Sequence, residues 1–333
     1  MTVGPALPGI EAQGYPRHAL HGEESAWPEK NCYVDLWIEL LHSLALEPRA
    51  VLPFTLAVDF EGDQWTFFKP PLSDLRELYG IDVQELTVWR PLIDHAREHL
   101  AAGKLISTEA DAFWLPDTRG TDYRSKHTKT TILLARLDVE GRRLGYFHNA
   151  GYFELSGEDF SQVFRLEAVM DPAFMPLYAE LVRIERRVTR PDSVLAAMSF
   201  ELVRRYVDWR PARNPFSRFA AHVDRQLDEL RVGGLPGYHA WAFASIRQAG
   251  AAFELAAANL RWLASLGYGP LGAAAPSFDA ISQAGKALIL KGARAVHTGK
   301  ALALAPLAAG MAQAWDEGMA AVEDALKPGQ PLS

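Results

Sequence analysis

The first clear pattern in the chain is an apolar stripe with helical spacing. Apolar residues recur at i, i+3, i+4 and i+7 in Trp37, Leu40, Leu41 and Leu44, which is one face of an α-helix. The stripe predicts a helix that begins near Cys32 and stops before Pro48, because proline lacks the N–H that a helix interior needs.

Short strand and helix patterns alternate over the part of the chain that follows. Strands are predicted at Phe54–Phe60, Trp65–Phe68, Glu85–Val88 and Leu105–Ser107, and helices at Pro71–Tyr79 and Pro91–Ala102. The strongest strand patterns are Thr128–Asp138 and Arg142–His148. The Glu140-Gly141 turn between them predicts an antiparallel hairpin.

Alanine and leucine dominate after about residue 170, and strand patterns are no longer found. Helices are predicted at Ser193–Trp209, Pro215–Arg231, Tyr238–Leu266, Phe278–Ala295 and Leu302–Leu326. We therefore expect an α+β protein with an extended lead-in over 1–30, a mixed domain over 31–168 and an all-α bundle domain over 169–333.

Composition and charge restrict the function classes. The 333 residues are 49% hydrophobic and carry a net charge of −7, so we expect no nucleic-acid partner. No apolar run reaches the length of a membrane span, and Met1–Gly14 lacks the pattern of a signal peptide. One cysteine allows no internal disulfide, which favours a cytoplasmic location.

Three residues form a candidate thiol site. Cys32 lies at a predicted helix start, where the helix dipole favours a thiolate. His127 comes just before a strand and is the candidate base, and Asn149 ends the paired strand, where its amide would orient the imidazole. The alternative is an inert core cysteine, a loop histidine and a turn asparagine; His148 is a less favoured choice, because strand alternation points it to the other face.

This order of residues is similar to that of papain-like thiol proteins. The segment Asp111-Ala112-Phe113-Trp114-Leu115-Pro116, followed by Tyr123 and His127, resembles the N-terminal domain of the butirosin-biosynthesis BtrH type. The resemblance covers about residues 25 to 165. It implies a papain-like fold over 31–168 and acyl transfer from a carrier-protein thioester to an amine.

The whole chain also resembles a bacterial family known as domain of unknown function 1839. The residues behind this resemblance are Tyr146–Tyr152, Asn214–Phe216, Arg247-Gln248, Glu254 and Arg261–Leu263. The chain departs from the related patterns in two ways. Asn149 stands where the BtrH type usually has Asp, and no Gln precedes Cys32, so Asn31 or the backbone N–H of Cys32 would form the oxyanion hole.

Seven residues are candidates for substrate binding: Asn31, Trp114, Asp122, Tyr123, His239, Arg247 and Glu254. The last three are spaced by 8 and 7 residues and share one face of the predicted helix Tyr238–Leu266. They would line a cleft or, alternatively, form an ion-pair network between domains. His95 and His99 are an i, i+4 pair, but no third ligand is near in sequence, so no metal site is expected.

The sequence thus predicts a thiol-dependent acyltransferase that passes an acyl or aminoacyl group through Cys32 to a small-molecule amine. The expected partner is an acyl or aminoacyl carrier protein with phosphopantetheine on it, and no cofactor is expected on the chain itself. A papain-like thioesterase or amidase would use the same residues. A non-catalytic carrier-protein-binding protein on the same fold is the third possibility, and the missing Gln favours it.

Overall fold

The computed structural model describes residue 7 and residues 9–167, 177–300 and 303–327. The chain divides into two compact units. The first contains residues 1–21, 31–47 and 71–189, and the second contains residues 22–30, 48–70 and 190–333. The sequence predicts a boundary at 168/169, which lies outside the described residues, as does the predicted helix start at Leu302.

The helices, in chain order, are α1 (Cys32–Ser43), α2 (Leu72–Tyr79), α3 (Leu92–Ala101), α4 (Glu158–Val163), α5 (Asp192–Asp208), α6 (Pro215–Ala244), α7 (Ile246–Ser265), α8 (Ala275–Thr298) and α9 (Ala305–Ala325). The strands are β1 (Phe60–Glu61), β2 (Gln64–Trp65), β3 (Asp82–Glu85), β4 (Leu105–Asp111), β5 (Lys129–Asp138), β6 (Arg143–His148), β7 (Gly151–Ser156) and β8 (Ala179–Arg183). The described residues therefore have an α+β architecture with a helical C-terminal part. None of their helices is long and apolar enough to cross a membrane.

The first unit is built on one antiparallel sheet of six strands. The strand order is β3-β8-β4-β5-β6-β7. Helix α1 packs on β5, β6 and β7, and the predicted apolar stripe on α1 is buried. The predicted hairpin is present as β5 and β6.

Two strands of this sheet have no counterpart in the sequence prediction. β7 begins directly after a tight turn, and β8 comes after residue 170, where no strand is predicted. Both are short, and β8 is hydrogen-bonded on each side, to β3 and to β4. Such a short run is stabilised by its neighbours in the sheet and not by a local pattern.

The predicted strand Phe54–Phe60 is wrong. The chain instead forms a 3-10 helix over Pro48–Ala57, and only Phe60 of that range joins a strand. The segment is a nearly continuous buried apolar run, and periodicity does not separate a buried strand from a buried helical turn in such a run.

The second unit is a helical bundle with the short β1–β2 hairpin. Helix α7 packs against α8 and against the 3-10 helix Pro48–Ala57. Helix α9 packs against α6 and α8. Small residues let these helices approach: a Cβ added at Gly318 would lie 2.5 Å from the Phe278 ring. The predicted single helix Tyr238–Leu266 is wrong, because α6 ends at Ala244 and α7 starts at Ile246.

A buried charge cluster holds α1 in the first unit. The two ring nitrogens of His21 contact a carboxylate each: Nδ1 bonds Glu39, and Nε2 lies 3.0 Å from Asp35 Oδ1. All three side chains are fully buried. Burial raises the pKa of Glu39, but the hydrogen bond and charge of His21, the His18 backbone N–H and the Tyr15 hydroxyl outweigh it, so the net pKa is lowered.

Replacing His21 should therefore destabilise the first unit strongly. His21→Ala leaves two carboxylates buried without their imidazole, which costs about 3–5 kcal/mol. Urea unfolding followed by circular dichroism measures the loss, with His99→Ala on α3 as the control. Because the pKa of Glu39 is lowered from its ordinary value of 4.5, the stabilising contribution of this carboxylate is present above that pH and is lost as the pH falls further. We expect a weaker acid dependence in His21→Ala, and equal stability of both variants would contradict this role.

Candidate functional site

Cys32 is the first residue of α1, and Asn31 is its N-cap. The Asn31 side-chain oxygen accepts hydrogen bonds from the backbone N–H groups of Tyr33 and Val34, at 3.1 and 2.9 Å. This cap orients the first turn, so the half-buried Cys32 thiol lies at the positive end of the helix dipole. Because the amide oxygen of Asn31 is used by the cap, only its amide nitrogen could face an oxyanion.

His127 pairs with a carboxylate that the sequence analysis had not assigned to the site. Its Nδ1 lies 2.6 Å from Asp111 Oδ2, and its ring stacks on Phe113 with centroids 4.3 Å apart. The other Asp111 oxygen accepts from the backbone N–H groups of Phe113 and Thr128. The imidazole side chain is 70% exposed. An oriented histidine with an accessible ring is suited to act as a general base.

Asn149 lies in the tight turn between β6 and β7. Its φ is +43°, a left-handed conformation that asparagine tolerates. Across the described residues, no hydrogen bond joins Cys32, His127 and Asn149 to one another. The orienting contact on the His127 ring comes from Asp111, whereas the sequence analysis gives that role to Asn149.

His148, the less favoured alternative to Asn149, belongs to a buried network. Its Nδ1 lies 2.6 Å from Asp117 Oδ2, and its Nε2 lies 2.7 Å from Thr130 Oγ1. The Tyr146 hydroxyl donates to the other Asp117 oxygen. Burial, followed by the charge and hydrogen bond of Asp117, raises the pKa of Tyr146 well above its usual value. The network attaches the β4–β5 loop, which carries His127, to the buried part of β6.

The aromatic and acidic residues of the same loop also have structural partners. The Tyr123 hydroxyl donates to Asp159, and Asp122 accepts from the Thr128 hydroxyl at 2.6 Å. The Arg124 guanidinium lies 4.4 Å from the centroid of the Trp114 ring and bonds Asp159. Trp114, Asp122 and Tyr123 thus form the packed framework of this loop.

A second carboxylate lies beside the start of α1. Glu180 on β8 is buried and accepts hydrogen bonds from the hydroxyls of Tyr33, at 2.9 Å, and Tyr178, at 3.0 Å. Burial and the Glu180 charge raise the pKa of both tyrosines. Ser107 pairs with Glu180 across the strands, and its buried hydroxyl has no hydrogen-bond partner within the described residues. No sequence motif marks this cluster, because it joins the first turn of α1 to strands β4 and β8, which are far apart along the chain.

The strand register separates the two carboxylates. Glu180, which Tyr33 contacts, pairs with Ser107 of β4. Asp111, which His127 contacts, lies four residues further along the same strand, which corresponds to about 13 Å.

In the second unit, Glu254 and Arg247 hold the segment 22–30. Glu254 accepts from the backbone N–H groups of Ala26 and Trp27 and from the Ser25 hydroxyl. Arg247 donates to the Glu29 backbone oxygen at 2.7 Å. His239 is exposed on α6 and lies on a different helix from the other two. The prediction that the three share one helix face is therefore wrong, because one helix ends before Ser245 and the next begins after it.

The comparisons with known families cover nearly the whole chain. The model of the DUF1839 N-terminal domain matches residues 16–184, and that of the DUF1839 C-terminal domain matches residues 192–324. The chain belongs to the DUF1839 family. A search of curated proteins found no match. In the described residues, no group of three or more His, Cys, Asp or Glu side chains could hold a metal ion.

Removing the Asp117 carboxylate should loosen the loop that carries His127. Asp117→Ala leaves the buried Tyr146 hydroxyl and one His148 nitrogen without a partner, and we expect a loss of about 3 kcal/mol in unfolding free energy. The backbone amides of residues 112–128 should also exchange their hydrogens faster in this variant. Asp94→Ala, which removes an exposed i, i+3 ion pair with Arg97, is the control and should cost less than about 1 kcal/mol. Unchanged exchange in Asp117→Ala would contradict the anchoring role.

Proposed function

We propose that this DUF1839 protein is a thiol-dependent acyltransferase whose N-terminal unit is papain-like. It would take an acyl or aminoacyl group from the phosphopantetheine thioester of a carrier protein and pass it to a small-molecule amine. The observation that carries the proposal is the position of Cys32 at the first turn of a buried, Asn31-capped helix. A sulfur at that position faces the positive end of the helix, where negative charge that develops during the reaction is stabilised.

The proposed reaction has two steps. In the first, the Cys32 thiolate attacks the thioester carbonyl, a new S–C bond forms, and the pantetheine sulfur leaves and takes a proton from His127. In the second, the amine attacks the acyl-Cys32 carbonyl and gives its proton to His127, and Cys32 leaves as the thiolate. Atoms and charges balance without any other reactant.

His127 is the residue that we assign to proton transfer. The Asp111–His127 pair has the contact that orients a catalytic imidazole, and its exposure leaves the ring open to a substrate. Asn149 keeps its predicted role only if substrate binding brings its amide to the ring. The likeness of Asp111–Pro116, Tyr123 and His127 to BtrH-type domains supports the same assignment.

One observation favours a second candidate, a non-catalytic binding protein. Cys32 and His127 share no hydrogen bond among the described residues, and the strand register separates their carboxylate neighbours by about 13 Å. A protein that binds an acylated carrier without chemistry needs neither a reactive thiol nor a base. Such a protein would bind equally well as Cys32→Ala.

Intact-protein mass spectrometry tests the proposal directly. The protein is mixed with a panel of acyl and aminoacyl pantetheine thioesters, beside Cys32→Ala, His127→Ala and Asp111→Asn. We expect an acyl-sized mass gain in the wild type, none in Cys32→Ala, and acylation slower by about 10²–10⁴-fold in His127→Ala. Asp111→Asn should be slowed as well, because the imidazole loses its orienting charge. His99→Ala is the control histidine and should react as the wild type does.

Adding an amine separates the enzymatic alternatives. Release of an amide product identifies a transferase, and release of the free acid at any amine concentration identifies a thioesterase or amidase. No adduct with any thioester, together with slow alkylation of Cys32 by iodoacetamide, would overturn the catalytic proposal in favour of the binding protein. Normal acylation in His127→Ala would remove His127 as the base.

A further inference from the structure

One face of α8 exposes a row of cations around an apolar side chain. Lys286, Leu290 and Arg294 follow one another at i, i+4 and i+8, so they lie within about 80° on the helix. All three are exposed, and Leu290 is 71% exposed. Lys291 is exposed beside them. The opposite side of α8 is buried in the bundle through residues such as Phe278, Ile281 and Leu288.

These cations differ from several other basic residues of the same unit. Arg210, Arg218, Arg261 and Lys327 each form an ion pair with a carboxylate. Lys286, Lys291 and Arg294 have no carboxylate within ion-pair distance in the described part of the chain. The contact of Lys286 is with the Trp27 ring, 5.8 Å from its centroid. The charge of this face is therefore not neutralised within the described fold.

The sequence around this face contains no acid at all. Between Asp279 and Asp316 there is no Asp or Glu, although the whole chain carries a net charge of −7. Cations without partners cost little in water, but they add nothing to the stability of the bundle. A basic face without acids in its sequence neighbourhood is instead complementary to a negatively charged surface.

The geometry of the face selects a protein as the occupant. Lys286 and Arg294 are about 12 Å apart along the helix axis with Leu290 between them. Two carboxylates at that spacing on either side of an apolar residue are what an acidic amphipathic helix presents. A nucleic-acid backbone offers no apolar surface to the exposed Leu290 at the centre of the face. A single exposed leucine also buries little area in a bilayer.

We propose that the Lys286–Leu290–Arg294 face of α8 docks an acidic helix of a partner protein. Leu290 makes the apolar contact at the centre, and the cations pair with Asp or Glu side chains around it. The inference is independent of the acyl-transfer proposal, since it uses no residue of the first unit, and either proposal can fail alone.

Fluorescence anisotropy with the full-length protein tests the docking. The probe is a labelled helical peptide of about 20 residues with glutamates at i and i+8 around a central leucine. The comparison probes are its lysine-for-glutamate analogue, a duplex DNA of 20 base pairs, and vesicles with 30% phosphatidylserine. We expect saturable binding of the acidic peptide that weakens as salt rises, with Lys286→Glu/Arg294→Glu weakening it about tenfold or more and Leu290→Ser about threefold.

Lys327→Glu is the matched control, because it makes the same charge change at an exposed lysine of the same unit and should alter binding less than twofold. The variants lie on exposed positions and their folding is checked by circular dichroism. Equal binding of the lysine analogue, stronger binding of the DNA or the vesicles, or an equal loss in Lys327→Glu would each overturn the proposal. Absence of acidic-peptide binding at low salt would overturn it as well.

Discussion

The interaction on which the first unit depends is the pairing of His21 with Asp35 and Glu39. These two acids lie on α1, a helix that is buried along most of its length. Buried carboxylates oppose packing unless a partner compensates their lost hydration. Because His21 contacts both carboxylates, α1 can pack on the sheet with Asp35 and Glu39 buried. The position of Cys32, the first residue of that helix, follows from the same contact.

Carboxylates have a comparable role in the β4–β5 loop. Asp117 accepts hydrogen bonds that join the loop to Tyr146 and His148. Asp111 accepts from backbone N–H groups at both ends of the loop and contacts His127. Asp159 accepts hydrogen bonds from Tyr123 and Arg124. Each of these contacts restricts the motion of the loop and therefore the motion of His127. In the proposed mechanism His127 is the general base, and such a group must be held in one orientation to transfer protons efficiently. The loop is thus a scaffold for His127 whose supporting residues are mostly acidic.

The second unit uses its charges differently. Glu254 and Arg247 are committed to the backbone of segment 22–30, and most other cations are neutralised by carboxylates of the unit. On the exposed face of α8, several neighbouring cations have no carboxylate partner among the described residues. Within this unit the ion pairs join residues of the bundle to one another, and the cations of the α8 face are left open for the proposed docking.

Local sequence patterns were sufficient to predict the long regular elements. They predicted α1 from its apolar stripe, the β5–β6 hairpin from its turn, and most of the C-terminal helices from the residues that begin and end them. Those signals are local, since each depends on residues within one or two turns of helix or strand. The sequence also singled out His127, but not Asp111 as the group that holds it. The tertiary structure decided the contacts that join distant segments, namely Asp111 with His127, Glu180 with Tyr33, and β8 between β3 and β4. Strand register and the packing of α1 on the sheet bring such residues together, and both are set by the whole unit, which no local pattern records.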